Sequence, residues 1–133
     1  MQKIILIEDI VHVAVEIKSL LHTFDVKMFH NSRSFLHEYQ SVLFKNFLSQ
    51  TDFFILDFNL GDGTLISSCI YEIILENRKK DSILCCISSF GQQIIEKNCA
   101  EIAKKYQLTQ PFDYYLKKNP EVIGQFILNM NKN

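Results

Sequence analysis

The 133-residue sequence is short of the residues that punctuate or staple a chain: two prolines, four glycines and four cysteines. The prolines and glycines are scattered, so there is no linker, no low-complexity segment and no internal repeat. Uninterrupted apolar runs reach only about five residues, far below the roughly 18 that a membrane span requires. Neither sign of charge dominates, with 14 basic against 15 acidic side chains and a formal net charge of -1. No basic surplus therefore points to direct nucleic-acid binding, and no helix-turn-helix appendage supports it. Glu8 and Asp9 stand where a secretion signal would continue its apolar segment, so the chain reads as cytoplasmic. Cys69, Cys85, Cys86 and Cys99 show no C-x-x-C spacing and read as small buried hydrophobes in a reducing compartment. His12, His22, His30 and His37 lack the spacing of a zinc site.

What is present is the material of one globular domain, residues 1–133, with 47% hydrophobic and 22% charged residues. Ile4 to Ile7 is a continuous apolar run, as in a strand buried on both faces. Ala14, Ile17, Leu20 and Leu21 recur at helical spacing after it. Asp25 to Phe29 alternates and reads as a second strand nearer an edge, and Ser32 is the expected N-cap of the next helix. That helix carries Phe35, Leu36, Tyr39, Val42 and Leu43, and Phe44 to Gln50 is either its continuation or a separate helix. Phe53 to Leu56 and Ile83 to Ile87 predict the third and fourth strands, with helices over Leu65 to Glu76 and Gln92 to Lys105. A fifth strand is expected at Gln107 to Thr109, stopped by Pro111, and Pro120 opens the last helix.

Strands alternating with helices predict a doubly wound α/β domain with a parallel sheet. Its usual five-stranded order sets strands one and three side by side. Glu8 and Asp9 then converge with Asp57, each at the carboxyl end of its strand, where such sheets place their chemistry. Three carboxylates this close suit a divalent cation.

The pattern resembles the receiver domain of the two-component response-regulator family, with its flavodoxin-like (βα)5 fold. The resemblance spans the chain and rests on Glu8-Asp9, Asp57, Asn59, Ser88 and the pair Pro111-Phe112. It implies that Asp57 accepts a phosphoryl group from a phosphohistidine on a histidine kinase or phosphotransfer protein. It implies Mg2+ held by Asp9, Asp57 and the main-chain carbonyl of Asn59, with Glu8 acting partly through water, and Ser88 as the hydroxyl that follows the phosphoryl group. Such a domain is a switch toward a downstream protein partner, not a dedicated enzyme, with slow self-catalysed phosphotransfer and dephosphorylation at most. The family's dimerisation or output face lies on the helix after strand four, strand five and the last helix, here with Phe112, Tyr114, Tyr115 and Gln125.

The sequence also departs from the family. Gln110 occupies the position of the usual lysine before Pro111, and Lys117 and Lys118 lie too far along to be simple replacements. A glutamine gives only a neutral hydrogen bond, so the acidic cluster is expected to lack its counter-cation and Asp57 to be phosphorylated slowly or coupled poorly. Gln107, three residues earlier, stands where the family has a mobile Tyr or Phe, and neighbouring Tyr106 would face the other way. Gly61 replaces a common Pro and Leu65 a common Gly. The alternative is a pseudo-receiver, the same fold acting as a phosphorylation-independent interaction module. Asp62-Gly63-Thr64 matches part of the haloacid-dehalogenase motif, but Leu60 occupies the nucleophile position. A flavodoxin-type phosphate loop would have to replace Glu8-Asp9, whose charge repels phosphate.

Overall fold

The computed structural model describes residues 1–57, 64–87 and 91–131. The chain runs β1 (Lys3–Ile7), α1 (Val11–Leu20), β2 (Asp25–Phe29), α2 (Ser32–Glu38), α3 (Val42–Gln50), β3 (Phe53–Leu56), α4 (Thr64–Asn77), β4 (Ile83–Cys86), α5 (Gln92–Lys105), β5 (Tyr114–Tyr115) and α6 (Pro120–Asn131). The five strands form one parallel sheet in the order β2-β1-β3-β4-β5. The expected α/β architecture and the adjacency of strands one and three are both present.

Period-two side-chain alternation divides the apolar runs between two cores. Ile5, Ile7, Phe54, Leu56, Leu84 and Cys86 face α2 to α5, packing on Phe35, Phe44, Tyr71, Ile74, Ile95 and Cys99. Ile4, Leu6, Phe53, Ile55, Cys85 and Ile87 face α1 and α6, packing on Ala14, Ile17, Leu21, Ile123 and Ile127. Each central strand must therefore be apolar wherever it is buried, as β1 is from Ile4 to Ile7 and β3 is throughout. Cys85, Cys86 and Cys99 are buried as expected, and burial pushes the Cys85 and Cys99 thiols up to about 12, consistent with packing residues; Cys69, expected to be buried too, is exposed.

Two local expectations change, and one open alternative is resolved. Asn31, not Ser32, caps α2: its Oδ1 accepts the Ser34 N–H at 2.8 Å. The segment that follows is a separate helix, because Ser41 starts a new cap by accepting from Phe44 N–H. Val42 and Leu43 are therefore exposed, and Phe44, Phe47 and Leu48 supply the buried face.

The larger correction concerns strand five. Gln107 to Thr109 is the stop of α5, not a strand. Tyr106 ends the helix, Gln107 takes a left-handed φ of 63°, Gln107 N–H donates to Lys104 O and Leu108 N–H to Ala103 O. That pair of bonds is a Schellman motif, in which the left-handed position usually holds glycine. The chain then descends through Pro111, whose carbonyl accepts the buried Tyr71 hydroxyl at 2.6 Å. It joins the sheet only at Tyr114, after Asp113 has bonded Leu84 through both its main chain and its carboxylate.

Two stability changes follow. Gln107→Gly removes left-handed strain and is expected to stabilise the fold by about 1 kcal/mol. Tyr71→Phe leaves the buried Pro111 carbonyl without this donor and is expected to cost about 1–2 kcal/mol. Chemical denaturation measures both, and an unstable Gln107→Gly variant would contradict the assigned helix stop.

Candidate functional site

At the carboxyl edge of the sheet, ladder bonds extend one residue past the strands. Glu8 N–H donates to Phe29 O, Asp57 N–H to Ile7 O, and Ile87 N–H to Leu56 O. This fixes Glu8 and Asp57 on adjacent strand ends with their backbones held, so their side chains converge. Carboxylate oxygens of Glu8, Asp9 and Asp57 all lie within 4.8 Å of one another. Glu8 and Asp57 are buried, while Asp9 is partly exposed.

A cation sits among them. Lys118 Nζ lies 2.7 Å from Asp57 Oδ2, 2.9 Å from Glu8 Oε1 and 3.3 Å from Asp9 Oδ1. The expectation that Gln110 occupies the counter-cation position is thus corrected. Gln110 is exposed in the approach to β5, and the ammonium comes from the far end of that strand. The reason is the late start of β5. Leu116 N–H donates to Cys86 O at 2.8 Å, which places Lys118 just beyond the carboxyl edge. The signal is present in the sequence as Lys118 shortly before Pro120, but Gln110-Pro111, eight residues earlier, also leads into a proline.

The same shift moves the aromatic position. Three residues before Lys118 stands Tyr115, in the place that Gln107 holds relative to Gln110. Its ring packs on Phe112 and its buried hydroxyl has no hydrogen-bond partner among the described residues. Phe112 itself is core, whereas Tyr114 is exposed and lies edge-on to Phe126 at 4.8 Å between ring centroids. Asn59, Gly61 and Ser88 lie outside the described residues.

Electrostatics follow from this crowding. Burial pushes Glu8 up to about 7; bonds from Lys118 and the Ile10 N–H pull it down, and the Asp57 charge raises it again. Burial would raise Asp9 too, but hydrogen bonding to Asp57 and Glu8, with the Lys118 ammonium, holds it below its ordinary value. Burial opposes the charge on Lys118, yet hydrogen bonds to Asp57 and Glu8 outweigh it and keep the ammonium protonated. His30 supports the turn from the next strand, its Nδ1 lying 3.1 Å from the Glu8 carbonyl.

The donor set fits a hard divalent cation, which takes carboxylate oxygens and retains waters. Glu8 supplies the specific fit: Oε1 is engaged by Ile10 N–H and Lys118, while buried Oε2 has no partner among the described residues. A buried carboxylate oxygen left open beside two more carboxylates is a ligand position.

No protein-family model matches the sequence, and no curated protein matches it. Solved structures do. A response regulator receiver domain from Rhodospirillum rubrum is 17% identical with a TM-score of 0.69, over 98% of this chain and 94% of that one. The BeF3-activated DrrB receiver domain is 18% identical with a TM-score of 0.67, over 100% and 99%. The Mn(2+)-bound form of response regulator Rcp1 is 13% identical with a TM-score of 0.64, over 99% and 93%. From end to end, the chain has the fold of response-regulator receiver domains.

Proposed function

We propose that this chain is a receiver that accepts a phosphoryl group on Asp57 and reports the modification to a protein partner. The observation that carries the reading is the meeting of Lys118 with Asp57, Glu8 and Asp9. A carboxylate held at a strand end, beside two further carboxylates and one ammonium, is a nucleophile with an organised charge environment.

Asp57 would attack the phosphorus of a phosphohistidine on a histidine kinase or phosphotransfer protein. The new O–P bond forms as the P–N bond breaks, and the imidazole leaves with its electron pair. Glu8, Asp9 and Asp57 would hold Mg2+, with the Asn59 carbonyl as the expected main-chain donor. Bound there, the ion offsets repulsion between an anionic nucleophile and an anionic phosphoryl group. Lys118 stays charged through the step and gives a charge-assisted bond to the phosphoryl oxygen as Asp57 is consumed. Ser88 is proposed as the hydroxyl donor to the same group. Tyr115, whose hydroxyl has no partner among the described residues, takes the switching position that Gln107 does not fill. The exposed Tyr114 and Gln125 belong to the proposed output or dimerisation face, and a cytoplasmic setting suits a partner kinase.

Mass spectrometry after incubation with Mg2+ and acetyl phosphate is expected to show one phosphoryl adduct, lost in Asp57→Asn. Absence of the adduct with both this donor and a cognate kinase would leave the phosphorylation-independent interaction module as the better reading. Lys118→Met is expected to slow phosphorylation about 10-fold or more, the worth of a charge-assisted bond. Gln110→Lys, which places its charge away from the cluster, is expected to change the rate little.

The pH dependence has a definite sign. Glu8 in the folded protein titrates at about 7 against an ordinary 4.5, so the folded state holds the proton longer. Metal-free stability is therefore expected to fall as pH rises from about 4.5 to 7, by about 3 kcal/mol at most. Asp9, held low, acts only below that window. Mg2+ affinity should rise over the same interval as Glu8 ionises. Denaturation curves at pH 5 and pH 8 check this, and an identical fall in Glu8→Gln would remove Glu8 as its source.

A further inference from the structure

Lys118 reaches the carboxylates from a segment fixed immediately on both sides. On the strand side, Leu116 N–H donates to Cys86 O at 2.8 Å. On the helix side, Asn119 Oδ1 accepts the N–H groups of Glu121 at 2.9 Å and Val122 at 3.2 Å. The Asn119 carbonyl accepts Ile123 N–H at 3.0 Å, and its own N–H donates to Lys117 O at 2.8 Å. Asn119 is thus the N-cap of α6, with Pro120 in the first helical position.

The helix that this cap starts cannot drift. Ile123 and Ile127 are buried on the α1 side of the sheet. Gly124 lies so close to α1 that an added Cβ would stand 3.1 Å from the Leu20 side chain. The adjacent Lys117, by contrast, is exposed.

We propose that Asn119 is a positioning residue for Lys118, with the α6 cap fixing the point from which the ammonium reaches Glu8, Asp9 and Asp57. The need for such a device is physical. A lysine side chain has large rotamer freedom, and the amino end of a helix repels a cation beside it. Without a fixed origin, the ammonium would exchange its three carboxylate partners for water more often. The cap spends its side chain on α6 and thereby locks the φ/ψ of the residue next to Lys118. This positioning role concerns the same site as the receiver reading, and that reading gives it its use, but it is measurable without phosphate or metal.

The test is the rate of acetylation by an amine-reactive ester, followed residue by residue by mass spectrometry on the full chain. In the unmodified protein Lys118 is expected to react far more slowly than Lys117. Asn119→Ala is expected to raise the Lys118 rate about 2- to 5-fold, the span of a lost cap partly passed to its neighbour, and to leave Lys117 unchanged. Asn119→Ser, which can still cap, should return Lys118 to the wild-type rate although it touches neither lysine nor carboxylate. An unchanged Lys118 rate in Asn119→Ala would overturn the proposal. So would an equal acceleration of Lys117, which marks general fraying, or failure of Asn119→Ser to restore protection. Mn2+ binding to the wild type, read from the electron paramagnetic resonance signal of free Mn2+, is the separate check on the receiver reading. If no Mn2+ binds while Asn119→Ala still exposes Lys118, the metal reading fails and the positioning role stands.

Discussion

The contact between the Lys118 ammonium and three carboxylates is the constraint on which the carboxyl edge of the sheet depends. The strand order puts β4 between β5 and β3, so a group from the end of β5 must cross two strand spacings to reach Asp57. At about 4.8 Å each, that distance is beyond a short side chain and within the combined reach of a lysine and an aspartate. Glu8 and Asp57 are held from the other direction by ladder bonds to Phe29 and Ile7. Parallel pairing is what lets all these strand ends point to one edge.

Charge balance explains why the cluster does not settle with lysine alone. Three ionised carboxylates and one ammonium would leave a net double negative charge in a largely buried site. The chain's own resources relieve part of it: burial pushes Glu8 up to about 7, so it holds its proton longer than an ordinary glutamate. Its second oxygen has no partner among the described residues, so protonation is a stopgap and not a satisfied state. In the proposed receiver, a divalent cation would allow Glu8 to ionise and leave the Asp57 carboxylate charged for attack. The proposed metal and the upward-shifted glutamate are two consequences of one excess of negative charge.

Much of the fold was legible because burial on both faces demands unbroken apolar runs. Ile4 to Ile7 and Phe53 to Leu56 have no other economical reading, and the acids directly after them marked the edge that carries the site. Strand five was illegible for the same reason in reverse. Tyr114–Tyr115 is two residues long, with one exposed and one partly buried side chain, so it has no periodicity to detect. Gln107 concealed the end of α5 because the left-handed position there is not glycine. Once that helix stop is mistaken for a strand, Lys118 appears eight residues too late. Helix caps were legible only as residue types, since Asn31 and Ser32 both qualify and backbone geometry decides between them.

The short fifth strand also has mechanical consequences. Between the Pro111 carbonyl, held by Tyr71, and the Asn119 cap lie the residues that carry both Tyr115 and Lys118. Asp113 and Leu116 tie this stretch to β4, but its strand proper contains only Tyr114 and Tyr115. Elements with few ladder bonds open at lower cost than long central strands. In the proposed receiver, a change in what Lys118 contacts would reach β5 first, because β1 and β3 are clamped in two cores. Tyr115, with a ring against Phe112 and a buried hydroxyl that has no partner among the described residues, sits three residues from that lysine on the same segment. Among the described residues, the carboxylate cluster is thus tied through Lys118 to the shortest strand of the sheet.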